Sequence, residues 1–420
     1  MKNRHTFKGI AAAVALILYI SARADAYSQN IRLSPMVSRT LVCADMSRLY
    51  NYNRYEGNRW GLGFNTTTPL SADKDIPLCD RRKLYTEVYG AYGVGDRAVK
   101  GGGALQLITP LSAAKQWHLR IMHDVERAAS RSLEGYNLFT TDYNSSYLSS
   151  RYSMVDRVSG GFTLGDSTRI LTIEGRYSRE KKLFDNARLL YPSIYADDAA
   201  SPYAQGRHYA EFHATATSRD GWVVDLLAGR VLDEERPYAR LLAQYSHTLP
   251  LNEGGELRLF AQGGLTTLAA PYTRMFDLSG TAFSYYYFNH TFLTVRPDTF
   301  VVNEFAHLCI GYCTPALWKC PVSNPRIFVQ LNAAAGWEAA RAADNTPGLC
   351  DHIGIDSLDA YAPTEGIAEP LIGIERLLRW GVLDLGMAAA FQMTPDNSYY
   401  HTPDSRDRWA LVVVATVTER

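Results

Sequence analysis

Along most of the chain, apolar and polar residues alternate over runs of about ten residues, the period that sends successive side chains to opposite faces of a strand. Trp117, Leu119 and Ile121 share one face against Gln116, His118 and Arg120. Ile327, Val329, Leu331 and Ala333 oppose Arg326, Gln330 and Asn332. The same holds for Leu257, Leu259 and Ala261 against Arg258 and Gln262, and for Ala239, Leu241, Ala243 and Tyr245 against Arg240 and Gln244. Near the end, Trp409, Leu411, Val413, Ala415 and Val417 fall on one face.

Fifteen such segments can be marked, near 53–65, 82–93, 97–109, 115–124, 150–165, 167–178, 204–217, 221–232, 236–248, 254–267, 298–312, 324–337, 366–378, 381–392 and 406–419. A soluble sandwich alternates as well. Strands of globular sheets, however, usually run to about five or six residues, whereas a tilted strand that crosses a bilayer needs about ten. The predicted fold is therefore all-β, an antiparallel transmembrane β-barrel.

Barrels of this type are normally even-stranded, with short periplasmic turns and longer external loops. Tight connections stand at 94–96, 165–166, 218–220 and 379–380, and long ones at 179–203, 268–297 and 338–365. They alternate if one further strand lies between 125 and 149. The expectation is about 16 strands with both ends in the periplasm.

The first residues set the compartment. Lys2, Arg4 and Lys8 precede an apolar run from Ile10 to Ile20, and Ala24-Asp25-Ala26 offers the small residues of a cleavage site. The expected organisation is a signal peptide over 1–26, a periplasmic segment over 27–50 and an outer-membrane barrel over 51–420. A membrane anchor is the alternative, but that apolar run is shorter than the roughly 20 residues that span a bilayer. No later apolar run reaches that length either.

Charge narrows the partners. Lys+Arg and Asp+Glu are 43 each, which leaves no basic excess to suggest nucleic acid. Outer-membrane lipid and periplasmic or envelope proteins are the expected partners. The 27 Tyr, 7 Trp and 15 Phe fit aromatic girdles, and also fit large soluble β-proteins. Six cysteines in an exported chain permit disulfides or free buried thiols; Cys313 and Cys320 could close one connection. No C-x-x-C pair gives zinc spacing, and no cofactor is implied.

Candidate sites are few. Tyr285, Tyr286, Tyr287 and Phe288 form an aromatic cluster in an external loop or its wall, a candidate binding surface, a loop packed onto the barrel mouth or a girdle at the membrane interface. Glu56 and Glu304 are candidates for a polar network in the lumen. His123-Asp124-Val125-Glu126, with Arg127 and Arg131 behind it, has acid–base residue types but reads better as a solvated strand end. Gly101-Gly102-Gly103 lacks the Lys and helix of a phosphate loop and reads as a close backbone approach. Nucleophile-elbow, Walker and H-E-x-x-H patterns are absent, and no catalytic site can be named.

Several stretches resemble an uncharacterised family of outer-membrane-type barrels in which the barrel often follows a carboxypeptidase-regulatory-like domain. They are Asn51-Tyr52-Asn53-Arg54-Tyr55-Glu56-Gly57 running into Gly61-Leu62-Gly63, Ala91-Tyr92-Gly93-Val94-Gly95-Asp96 with Lys100-Gly101, Asn303-Glu304-Phe305, and Ile372-Gly373-Ile374-Glu375-Arg376-Leu377-Leu378. The resemblance implies a barrel of the same broad kind as the surface-antigen and assembly barrels, with no activity to carry over.

Three functional readings follow: a barrel for transport, export or envelope assembly; a barrel enzyme with a site at its outer rim; and an exported soluble β-protein that binds polysaccharide or protein through aromatic loops.

Overall fold

The structure is a computed structural model. It describes, with isolated gaps of one or two residues, residues 30–32, 40–70, 82–109, 115–127, 152–182, 206–278, 286–287, 292–295, 301–339, 364–393 and 409–417.

Among the described residues sixteen strands form one antiparallel meander. β1 is interrupted, Leu41–Asp45 and then Tyr50–Asn53, and both parts pair with β2 (Gly57–Pro69). β3 (Lys83–Gly93), β4 (Val99–Ile108), β5 (Lys115–Arg127), β6 (Tyr152–Gly165), β7 (Arg169–Lys182) and β8 (Arg207–Ser218) follow in order. The second half comprises β9 (Trp222–Val231), β10 (Arg236–Pro250), β11 (Glu256–Thr266), β12 (Val301–Cys313), β13 (Arg326–Ala339), β14 (Ile367–Trp380), β15 (Leu383–Phe391) and β16 (Trp409–Val417). Among the described residues no ladder joins β16 to β1. Tyr286–Tyr287 instead runs parallel to β16, and Asn30–Arg32 pairs with β1.

The count of sixteen agrees with the expectation, but the position of the extra strand does not. β5 and β6 pair directly from Lys115↔Leu164 to Arg127↔Tyr152, so no strand intervenes between them. Residues 128–151 lie outside the described residues. The additional strand is β1, whose first part falls within the stretch expected to be a periplasmic segment; its interruption hides the alternation. Residues 1–29, with the expected signal peptide, are outside the described residues.

The connections sort onto two rims. One carries the long connections 128–151, 183–206, 267–300, 340–366 and 392–408; the other carries 166–168, 219–221, 251–255, 314–325 and 381–382. Both ends of the meander lie at the short-turn rim, as an even strand count requires. Starting the count at β1 moves the 94–98 turn to the long-loop rim, opposite to its expected side.

The polarity of the sheet is inverted relative to a soluble protein. Trp60, Leu62, Phe64, Leu119, Ile121, Leu308, Leu331 and Ile372 are all exposed on the outer face. Arg59, Asn65, Asp124, Glu174, Glu211, Gln262, Asn332 and Glu369 are buried on the inner one. Monomeric soluble proteins rarely expose contiguous apolar surface of this extent, whereas a barrel in lipid needs it. The sheet also curls: one inner cluster unites Val223 of β9 with Ile367 of β14, and another unites Cys313 of β12 with Val414 of β16. The fold is an antiparallel β-barrel of the membrane-spanning kind. Among the described residues no helix is long and apolar enough to cross a membrane.

Candidate functional site: the closed lumen

The connection between β11 and β12 folds into the barrel. Met275, Phe276, Leu278, Phe292, Leu293 and Val295 from this connection are all buried. An external loop exposed to water would lose that burial, so the segment behaves as a plug rather than a lid. Phe276–Asp277 pairs with Val301–Val302 at the start of β12. The Phe276 ring lies 4.9 Å from that of Phe305, with the Arg240 guanidinium 4.7 Å from its centroid.

The wall is shaped to receive it. A Cβ on Gly264 would come within 2.6 Å of the Phe276 and Phe305 rings, and one on Gly336 within 2.8 Å of Leu278. Only glycine leaves room for the plug at these two points.

Two polar clasps hold the plug. Arg274, on a short 3-10 turn (Tyr272–Arg274), donates through Nε to Glu211 at 2.6 Å and through Nη1 and Nη2 to Glu180. Tyr209 packs under its guanidinium at 4.9 Å, and the Tyr238 hydroxyl donates to Glu211 at 2.5 Å. Burial alone would lower the Arg274 pKa, but Glu180 and Glu211 more than offset this and hold it above its ordinary value, so the clasp keeps its charge.

The second clasp is Glu369 of β14. Its carboxylate accepts the Leu293 amide at 2.9 Å, the Thr294 amide at 2.8 Å and the Thr294 hydroxyl at 2.6 Å. Glu369 is fully buried, and three donors from one short segment offset part of the cost of desolvating it.

The wall of the first half is closed differently, by its own side chains. Glu56 is fully buried, paired with Lys100 at 2.6 Å and with Arg59 at 3.4 Å. Arg59 forms a fork with Asp124 at 2.6 and 2.8 Å, Tyr89 donates to Asp124 at 2.7 Å, and Asp96 pairs with Lys100. Further round, His118 meets Glu174 at 2.8 Å, Glu174 meets Arg176, and Arg176 donates to Nδ1 of His213 at 2.5 Å. His213 therefore accepts on Nδ1 and donates from Nε2 to Asp225. Both nitrogens are thus engaged within the wall.

The other sequence candidates separate. Glu304 is exposed on the outer face, between Leu265 and Trp337, and does not join the lumen network. The pleat requires this, because Phe305 turns inward to Phe276 and Asn303 accepts the Thr266 hydroxyl inside. Cys313 and Cys320 are free thiols rather than a disulfide. Cys313 points inward and donates to Glu375 at 3.2 Å, while Cys320 is exposed on the connection.

Tyr286 and Tyr287 run along β16, opposite Val413 and Val414; Tyr285 and Phe288 lie outside the described residues. His123 and Asp124 lie on opposite faces, His123 with Asp156 at 2.5 Å and Asp124 with Arg59, which dissolves the acid–base cluster. Among the described residues no group of three His, Cys, Asp or Glu gathers to hold a metal.

The clasp residues Arg274, Glu180, Glu211 and Glu369 were not among the sequence candidates. One signal was present: Met275, Phe276 and Leu278 make an apolar run in what reads as an external loop.

No protein-family model and no curated protein match the chain. Among solved structures it is similar to BamA from Haemophilus ducreyi lacking POTRA domains 1–3, at 11% identity over 97% of this chain and 78% of that one, with a TM-score of 0.48. It is also similar to CdiB from Acinetobacter baumannii (9% identity, 90% of this chain, 59% of that, TM-score 0.38) and to CdiB from Escherichia coli (11%, 91%, 64%, 0.42). The chain thus spans less than two thirds of either CdiB chain. At TM-scores below 0.5 these likenesses carry no argument, and the fold rests on the ladders and the inverted polarity.

Proposed function

We propose that the chain is an outer-membrane β-barrel with a transport, export or envelope-assembly role, exported by a cleaved signal peptide, in which the clasped plug governs passage through the lumen. The observation that carries the reading is the inverted polarity. An apolar outer face around a polar inner wall is costly in water and favourable in lipid. The Arg274 and Glu369 clasps support a gated rather than an open lumen, because a permanently blocked barrel could be filled with apolar side chains alone.

Lipid is the first partner, and periplasmic or envelope proteins are the second. No catalytic activity is proposed. The test is expression with the native leader, followed by gel comparison of boiled and unboiled outer-membrane fractions. A folded band in that fraction that shifts on boiling is expected. Recovery in the soluble periplasmic or secreted fraction would overturn the barrel reading in favour of a soluble binding protein.

A further inference from the structure

The short-turn rim is not uniform. Beneath β6–β9 the two turns are polar: Asp166, Thr168, Arg219 and Asp220 are all exposed. Beneath β12–β14 the 314–325 connection is longer than the neighbouring 251–255 and 381–382 turns and exposes Leu317, Trp318 and Val322. Leu377 and Leu378, at the end of β14, are exposed beside it.

Backbone pairing holds these side chains in one place. The Arg379 amide donates to the Val322 carbonyl at 2.8 Å, the Asn324 amide to Arg376 at 3.0 Å, and the Ser323 hydroxyl to Leu377 at 2.8 Å. The Leu317 amide donates to Pro325 at 2.9 Å. The β14–β15 register shifts between Ile374 and Leu378, and Arg376 takes a φ of 57° there; this bulge brings Leu377 and Leu378 to the surface together.

The patch continues an apolar surface already present. Tyr312, Val329 and Ile372 form an exposed outer row, Tyr312 opposite Val329 and Val329 opposite Ile372. Leu378 lies opposite Leu385, two positions below the exposed Met387.

We propose that the 314–325 connection is an interfacial wedge that inserts Leu317, Trp318 and Val322 into the inner leaflet of the bilayer. This rests on the membrane-barrel reading above. Lipid rather than protein is the occupant because the patch extends the lipid-facing band without a break and pairs an exposed Trp with the adjacent exposed Lys319. Indole settles at headgroup depth, and a lysine stem buries its methylenes while its ammonium meets anionic headgroups. The apolar wall is then taller under β12–β14 than under β6–β9, a mismatch that tilts the barrel or thickens the leaflet locally.

The test uses the full-length protein refolded into phosphatidylethanolamine–phosphatidylglycerol vesicles, with wild type compared with Trp318→Phe to isolate the Trp318 emission. Bromine on the lipid acyl chains is expected to quench that emission while aqueous iodide leaves it unchanged, and Leu317→Asp is expected to reverse the pattern. Quenching of Trp318 by iodide but not by brominated lipid would overturn the wedge and leave the patch to a periplasmic protein. Trp117, exposed on the outer band, serves as the control through Trp117→Phe. If its emission too escapes brominated lipid, the barrel reading itself has failed.

Discussion

The two halves of the barrel close their interiors by different means. From β2 to β5 the wall closes on itself, Arg59 reaching Asp124 and Lys100 reaching Glu56 and Asp96. From β9 to β16 the wall is more apolar and closes on a guest, the connection between β11 and β12, held by Glu369 of β14 and, through Arg274, by Glu180 of β7 and Glu211 of β8. Ion pairs within the wall keep strands in register and cannot leave without unfolding it. A loop clasped from outside its own hairpin can leave at the cost of its two short pairings, Phe276–Asp277 with β12 and Tyr286–Tyr287 with β16, while the ladders of the meander stay. The difference places rigidity in the first half and a movable part in the second.

Breaking the guest's clasp should have the largest effect. Arg274→Ala leaves Glu211 buried without its cation and Glu180 with only Arg157 at 4.0 Å, which costs roughly 3–5 kcal/mol. The cost is met by releasing the plug, so conductance should rise while the folded band still shifts on boiling. A valine at Gly264, which crowds Phe276, should open the lumen in the same direction.

The matching change in the first half sharpens the contrast. Arg59→Ala strands Asp124, while Glu56 keeps Lys100, at a comparable cost, about 3–5 kcal/mol. Here the expected readout is a lower midpoint of heat-induced unfolding with no gain in conductance, because no movable segment is attached. Conductance from Arg59→Ala equal to that from Arg274→Ala would erase the distinction between the halves.

The outer face comes next. Leu331→Arg places a charge in the middle of β13 toward lipid and should cost about 2–4 kcal/mol, read as a lower unfolding midpoint in vesicles. The smallest effect belongs to the 166–168 turn. The Asp166 carboxylate accepts the Thr168 hydroxyl and the Thr168 and Arg169 amides, which hold its pKa down at about 2. Because the folded value is depressed, its contribution is present above the usual carboxylate range and fades as pH falls toward 2. Asp166→Ala should therefore lower the unfolding midpoint slightly at pH 7, with the difference from wild type vanishing near pH 2.

The alternation made the wall legible because a pleat leaves no choice. Once Trp117, Leu119 and Ile121 share a face, His118 and Arg120 take the other, and lipid decides which face is outward. β1 escaped because its break between Asp45 and Tyr50 interrupts the period. Glu304 was misplaced for a related reason: near the long-loop rim the plug makes the interior apolar, so Phe305 turns in and the carboxylate turns out. The plug itself was illegible in local pattern. Arg274 meets Glu180 across 94 positions of chain and Thr294 meets Glu369 across 75, and no period along a segment records such contacts.

The central claim is that a clasped plug closes an otherwise conducting lumen. Single-channel recording in planar bilayers, comparing wild type with the Arg274→Ala/Glu369→Ala double variant, tests it most directly. A wild type that is closed almost all of the time and a double variant with long, stable openings would agree with the account. Equal conductance from the two, whether both open or both silent with the barrel folded, would contradict it.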